Sequence, residues 1–250
     1  MMMKNVSLLL FLIFATSLSF AQTDTLKVKT DTGNVKKDRK KVEFGPGKTH
    51  YAYAYFNFMF ATPPEEGTDA DIFYGKSHSI SYGVRYRLKL AKFFAVGAGV
   101  NYTYYAWHFK QNDNKKIPTS IIYDKEKLKI NALEADVFFR FNFGKNKKSP
   151  VGNYIDIGGY GDRNFSTKRQ FTNYINDGNT TGYSDYTGIN TGLNYMNDIN
   201  YGAEFRAGYG SMLLFAKYRL SDMFTPEFKN EISSTELPRL MIGFEIGFHK

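Results

Sequence analysis

The chain has 250 residues, a formal charge of +9 and no cysteine. With 23% charged residues and a mean hydropathy of −0.42 it is too polar for a helical membrane protein, and without thiols it can build neither a disulfide framework nor a cysteine metal site. Aromatic residues reach 17%, with 19 Tyr and 23 Phe but one Trp, a surplus unusual in a soluble enzyme and ordinary where rings gather at membrane interfaces.

The N-terminus reads as an export signal. Lys4 supplies a positive start and Leu8 to Phe14 a short apolar run. Ser19-Phe20-Ala21 then places small residues where a signal peptidase cuts, so residues 1–21 are expected to be removed. Export excludes nucleic acid as the partner of the basic charge. Residues 22–49 carry Lys27, Lys29, Lys36, Lys37, Arg39, Lys40, Lys41 and Lys48 without hydrophobic periodicity. They read as a flexible basic periplasmic tail, either a solvated linker or a contact for anionic lipid or cell-wall polymer.

From His50 the apolar residues recur at every second position, the period of a strand with two different faces. Eight such stretches run roughly over 50–61, 77–90, 92–109, 126–143, 153–170, 197–209, 212–223 and 237–249. Their connections alternate in length. They are long and acidic from Pro63 to Tyr74, tight at Leu90-Ala91, long from Lys110 to Lys125, and shorter and basic from Gly144 to Gly152. They are then long from Thr172 to Met196, tight at Gly210-Ser211 and long from Thr225 to Glu236. Long loops outside and short periplasmic turns are the habit of bacterial membrane barrels. Residues 50–250 are therefore expected to form a closed, eight-stranded, antiparallel up-and-down transmembrane β-barrel, all-β in class, because open sheet edges cannot persist in hydrocarbon.

The faces can be assigned strand by strand. Leu240, Ile242, Phe244, Ile246 and Phe248 oppose Met241, Gly243, Glu245 and Gly247, while Leu133, Ala135, Val137, Phe139, Phe141 and Phe143 oppose Glu134, Asp136, Arg140 and Asn142. Large aromatics near strand ends, including Tyr82, Tyr86, Phe143 and Tyr218, mark the apolar face as the lipid side. Trp107 and His108 fit the outer aromatic girdle. The polar face then puts Arg85, Arg87, Arg140, Arg206, Lys217 and Arg219 in the lumen with Glu134, Asp136, Asp156, Glu204 and Glu245. Eight strands leave room for side chains and not for an open pore, so this balanced set is expected to form a plug of salt bridges.

The glycine-punctuated stretches YGVRYRLKL, FFAVGAGVNYTYY and YGAEFRAGYG and the closing LMIGFEIGFHK resemble the outer-membrane β-barrel domain family, the OmpA-like, OmpX-like and PorT-like eight-stranded barrels. The resemblance covers about residues 50–250 and implies a place in the cell outer membrane of a Gram-negative bacterium. It marks a fold and not an activity. The closing strand departs from the common pattern by adding His249 and Lys250 after Phe248.

No catalytic, cofactor or metal signature stands out. His78 between Ser77 and Ser79, with His108, could serve a barrel enzyme acting on lipid or peptide at the outer rim, but the spacing matches no triad. Glu65, Glu66, Asp69 and Asp71 match no calcium loop. The connection 172–196 is the most suggestive element. Tyr174, Asn176, Asp177, Asn179, Tyr183, Asp185 and Tyr186 combine rigid aromatic area with adaptable hydrogen bonding, the chemistry of surface recognition. The expected role is non-enzymatic. The protein would lie in outer-membrane lipid and contact a surface ligand through that loop, or join other envelope proteins in an export or assembly complex. The alternative is a secreted lipocalin-like barrel with its apolar face inside.

Overall fold

The computed structural model describes residues 44–63, 70–144, 151–175, 184–232 and 235–248. The expected signal segment, residues 22–43 of the tail, and Glu65, Glu66, Asp69, Asn176, Asp177, Asn179, Tyr183, His249 and Lys250 lie outside them. Among the described residues nine strands run in the order β1 (His50–Ala61), β2 (His78–Lys89), β3 (Phe94–Phe109), β4 (Lys125–Asn142), β5 (Asn153–Ile175), β6 (Ser184–Thr191), β7 (Ile199–Tyr209), β8 (Met212–Arg219) and β9 (Leu240–Phe248). A single-turn helix α1 (Pro226–Glu231) precedes β9, with proline in its first turn where the missing N–H costs nothing.

Neighbouring strands pair antiparallel from β1 to β5, then β5 to β7, β7 to β8 and β8 to β9, and β9 returns to β1. Eight strands thus close into a ring. Following directly opposed residues around it leads from Tyr51 through Arg87, Gly97, Phe138, Gly158, Glu204, Lys217 and Met241 to Ala61. The path returns to β1 ten residues further on. Ten residues of stagger at ~3.3 Å each, over eight spacings of ~4.8 Å, tilt the strands about 40° from the barrel axis. The outward apolar face of β4, Leu133 to Phe143, then rises about 25 Å along the axis, the height of a membrane-spanning belt. The tight turn between β7 and β8 places Gly210 at φ 63°, a left-handed conformation that a two-residue hairpin needs.

The ninth strand corrects the reading of 172–196 as a loop. β5 runs on to Ile175, and β6 pairs only with its Lys168–Ile175 end, so a hairpin projects beyond the ring. Its Asn, Gly and Tyr content suggested a loop, but Thr172, Thr187, Ile189 and Thr191 are strand formers, and the two arms satisfy each other's backbone. Where β5 leaves the ring its register against β4 shifts between Asn131 and Ala132, and Phe165 bulges outward.

Which face is apolar depends on height. Along the belt Leu133, Val137, Phe139 and Phe143 are more than half exposed while Glu134, Asp136 and Arg140 are buried. That orientation is the reverse of a lipocalin and removes the soluble-barrel alternative. Beyond Asn131 the pattern inverts: Lys127 and Lys129 point out, and Leu128 and Ile130 are fully buried inside. Above the membrane the wall meets water, so its apolar residues turn inward. Trp107 follows the same rule. It is 2% exposed in the interior and not in the outer girdle.

Candidate functional site

Inward positions of β2, β4, β5, β7, β8 and β9 build the middle of the lumen. Arg140, fully buried on β4, grips Asp156 of β5 with two hydrogen bonds, Nε to Oδ1 and Nη2 to Oδ2, both 2.7 Å. Its guanidinium lies 3.7 Å from the Tyr154 ring centroid, and Nη2 donates to the Tyr53 hydroxyl at 3.3 Å. Arg206 bonds Asp136 at 2.8 Å, lies 3.6 Å from Asp156 and contacts Glu204. Arg85 joins Asp136 at 3.3 Å to Glu245 at 2.5 Å, with its guanidinium 3.8 Å from the Tyr55 ring. These contacts link Arg85, Asp136, Arg206, Glu204, Asp156, Arg140 and Glu245 into one connected cluster. Lys217 pairs with Glu134, which also accepts from Asn101 at 3.1 Å.

Besides Lys217, two of the candidate cations stand apart from that cluster. Arg219, one level higher, meets Glu236 of the last loop at 3.2 Å and the Ser221 and Leu237 carbonyls at 2.7 and 2.9 Å. Arg87, at the periplasmic end, has no carboxylate partner among the described residues. It donates to the Lys48 carbonyl at 3.2 Å and lies 5.2 Å from the Tyr51 ring.

Sequence reasoning missed three contributors. Asp162 is buried and holds Tyr105 and Asn200 at 3.2 and 3.0 Å; its even spacing from Asp156 on β5 could have found it. Tyr51, Tyr53 and Tyr55 line the inner face of β1, each alternating with a smaller or outward residue. Inward glycines make the space. A Cβ on Gly99 would lie 2.3 Å from Asp136 Oδ2, and one on Gly202 would lie 2.7 Å from the Tyr160 ring.

Above the charges the mouth is filled with apolar side chains. Ile72, Ile117, Met196, Met223, Phe224 and Leu237 come down from four connections and pack on Trp107, Leu128 and Ile130 of the wall. Between the two layers the cavity bounded by Tyr105, Trp107, Asp162, Lys217 and Arg219 is about 20 Å³, room for roughly one water.

The outer rim is polar and aromatic. Lys115, whose amine burial lowers against the opposing pull of Glu126, meets that carboxylate together with Arg169, which stands 2.5 Å from it. The Tyr123 and Phe171 rings pack at a tilt, 4.6 Å apart, and Tyr186 lies 6.5 Å from Phe171. Tyr186, Ile189, Ile121 and Ile122 are each half exposed or more, and Tyr174, which shares a hairpin face with Ile189 and not with Tyr186, is 39% exposed. Asp185 lies in β6 opposite Tyr174. The Ser and His residues do not converge: Ser77 and Ser79 are buried inside, whereas His78 and His108 point out with rings 6.4 Å apart. Ser77 Oγ accepts from the His108 backbone, and His78 bonds the Lys76 carbonyl. Asp71 pairs with Lys110 at 3.5 Å and accepts from Asn112 at 2.7 Å, and no cluster of metal ligands occurs among the described residues.

A closed ring of eight tilted strands, with an apolar belt outside and charges within, defines an outer-membrane β-barrel protein. The chain belongs to the outer membrane protein beta-barrel domain family, whose model matches residues 20–236. It is similar to the crystal structure of Ail, the attachment invasion locus protein of Yersinia pestis, at 11% identity and a TM-score of 0.31, over 80% of this chain and 95% of that one. A second Ail structure, in complex with the heparin analogue sucrose octasulfate, matches at 11% identity and a TM-score of 0.30, over 78% and 94%. No characterised protein gives a significant sequence match.

Proposed function

We propose that this barrel is a sealed, non-catalytic platform that works by contact at the cell surface through its outer rim. The observation that carries the reading is the β5–β6 hairpin. It extends the wall beyond the ring and, with the neighbouring loop, exposes Ile121, Ile122, Tyr174, Tyr186 and Ile189 among Thr and Asn side chains. Apolar and aromatic area of that kind, on a rigid support and rimmed by polar groups, is what contact surfaces present. A lumen filled by ion pairs below and apolar side chains above leaves transport without a path.

The test compares the full protein with a variant lacking residues 176–190, both in lipid nanodiscs. They are exposed to a glycan array and to detergent extracts of the envelope. The deletion should leave the barrel folded and abolish capture. Equal capture by both would refute the rim. Capture lost instead on removing residues 23–46 would move the function to a periplasmic complex.

A further inference from the structure

We propose that the outer face of β4 and β5, directly above the apolar belt, binds the phosphate groups of an anionic glycolipid headgroup in the outer leaflet. This goes beyond the rim contact and does not depend on it. Lys129 and Lys168 are direct cross-strand partners, so their Cβ atoms stand about 5 Å apart on the same outward face. Like charges so placed repel unless an anion lies between them. Lys127 is two residues further along the same face, and Arg163 lies below, exposed opposite Leu133. Among the described residues, Lys127, Lys168 and Arg163 have no carboxylate within ion-pair reach, and the Lys129 amine bonds only the Gln170 amide, at 3.0 Å. Several cations of the outer loops are paired instead, Lys110 with Asp71 and both Lys229 and Arg239 with Asp222.

Height selects the ligand. Leu133 ends the apolar face of β4. With strands tilted about 40°, Arg163 stands about 3 Å above it, Lys129 about 10 Å and Lys168 about 13 Å. Lysine stems reach several ångströms back toward the bilayer, so the four cations bracket the headgroup layer. The wall also opens beside them. At Phe165 and Ser166 the β5 edge turned toward β6 and β7 has no backbone partner, the flanking Asn164 N–H and Thr167 carbonyl being bonded to Asp198 and Gly192, and a groove of about 630 Å³ lies there. Phe165, Ser166, Thr167, Asn194 and Asn197 line it. Asn164, 7% exposed, also lines it, and its Oδ1 has no partner. Hydroxyl and amide groups around an aromatic face suit a sugar, while Asp198 at the groove edge turns phosphates toward the lysine side.

The experiment uses the full protein in neutral phosphatidylcholine nanodiscs doped with bisphosphorylated lipid A, or with the same lipid after enzymatic removal of its phosphates. Lipid retained per barrel is read by mass spectrometry. Wild type should enrich the phosphorylated form, and Lys127→Gln/Lys129→Gln/Lys168→Gln should lose about fivefold per lysine, roughly a hundredfold in all. In neutral detergent without glycolipid the triple variant should be at least as stable as wild type, because the repulsion is gone. Equal retention by the two proteins, or indifference to phosphate removal, overturns the site. So does loss of stability in neutral detergent, which would mean these lysines are already paired within the protein. Displacement of the lipid by inorganic phosphate would make it a soluble-anion site and overturn the lipid assignment. If the triple variant does not fold, Lys168→Gln alone with a salt titration decides. Retention by wild type must fall steeply with salt, and that of the single variant less steeply.

Discussion

Replacing Arg140 should cost more than any other single change in the lumen. Its guanidinium is completely buried, forms both parallel bonds with Asp156 at 2.7 Å and covers the Tyr154 ring. Arg140→Met keeps most of the volume and removes the charge, leaving Asp156 buried with Arg206 at 3.6 Å as its remaining cation. Breaking a buried pair from one side costs about 3–5 kcal/mol, and the surviving Arg206 contact places this case toward about 3. Removing both partners, as Arg140→Met/Asp156→Leu, should cost less than the single change, since no uncompensated charge is left. The assay is equilibrium unfolding in urea from lipid vesicles. It is followed by the fluorescence of Trp107, the one tryptophan in the chain, which lies in the interior. A single-variant loss under about 1 kcal/mol, or a double variant worse than the single, would refute the claim that the pair is a tightly coupled buried unit.

Three further outcomes are expected. Protein reconstituted in planar bilayers should show no steady conductance, and the current of an open porin would contradict the filled lumen. Gly99→Ala should destabilise by about 1–3 kcal/mol, because the new methyl meets Asp136 and Arg85; an unchanged unfolding midpoint would show that the wall yields there. Burial would raise the Asp222 carboxyl, but its bonds to Lys229 and Arg239 hold it below the usual range. A depressed carboxyl stabilises above its unfolded value, near about 4, and loses that contribution as pH falls through the folded value. Protease resistance of the α1 connection should therefore be level from neutral pH to about 5 and fall only below about 4, whereas a loss beginning near pH 6 would implicate another group.

The sequence by itself determined how each strand is sided. Side chains alternate across a strand whatever the strand pairs with, so Leu133, Val137 and Phe139 fall opposite Glu134, Asp136 and Arg140 before any partner is known. Alternating loop lengths were also a local property, and with the alternation of faces they sufficed for a closed eight-stranded barrel in the outer membrane. Partnership was not local. Arg85 and Glu245 are 160 residues apart, and their contact exists because a ten-residue stagger brings the two levels together. No property of either stretch states that stagger. Height was also a tertiary matter. The same alternation meets lipid at Leu133 and water at Lys129, so the inward face is charged in one place and apolar in the other, and Trp107 could be placed only once the belt was located. The β5–β6 hairpin was likewise hidden, since its arms are stabilised by each other across residues 176–183 and carry the turn-rich composition of a loop. Chain-local chemistry set the two faces of the wall; the closure of the ring decided which charges meet, where the membrane ends and what stands above it.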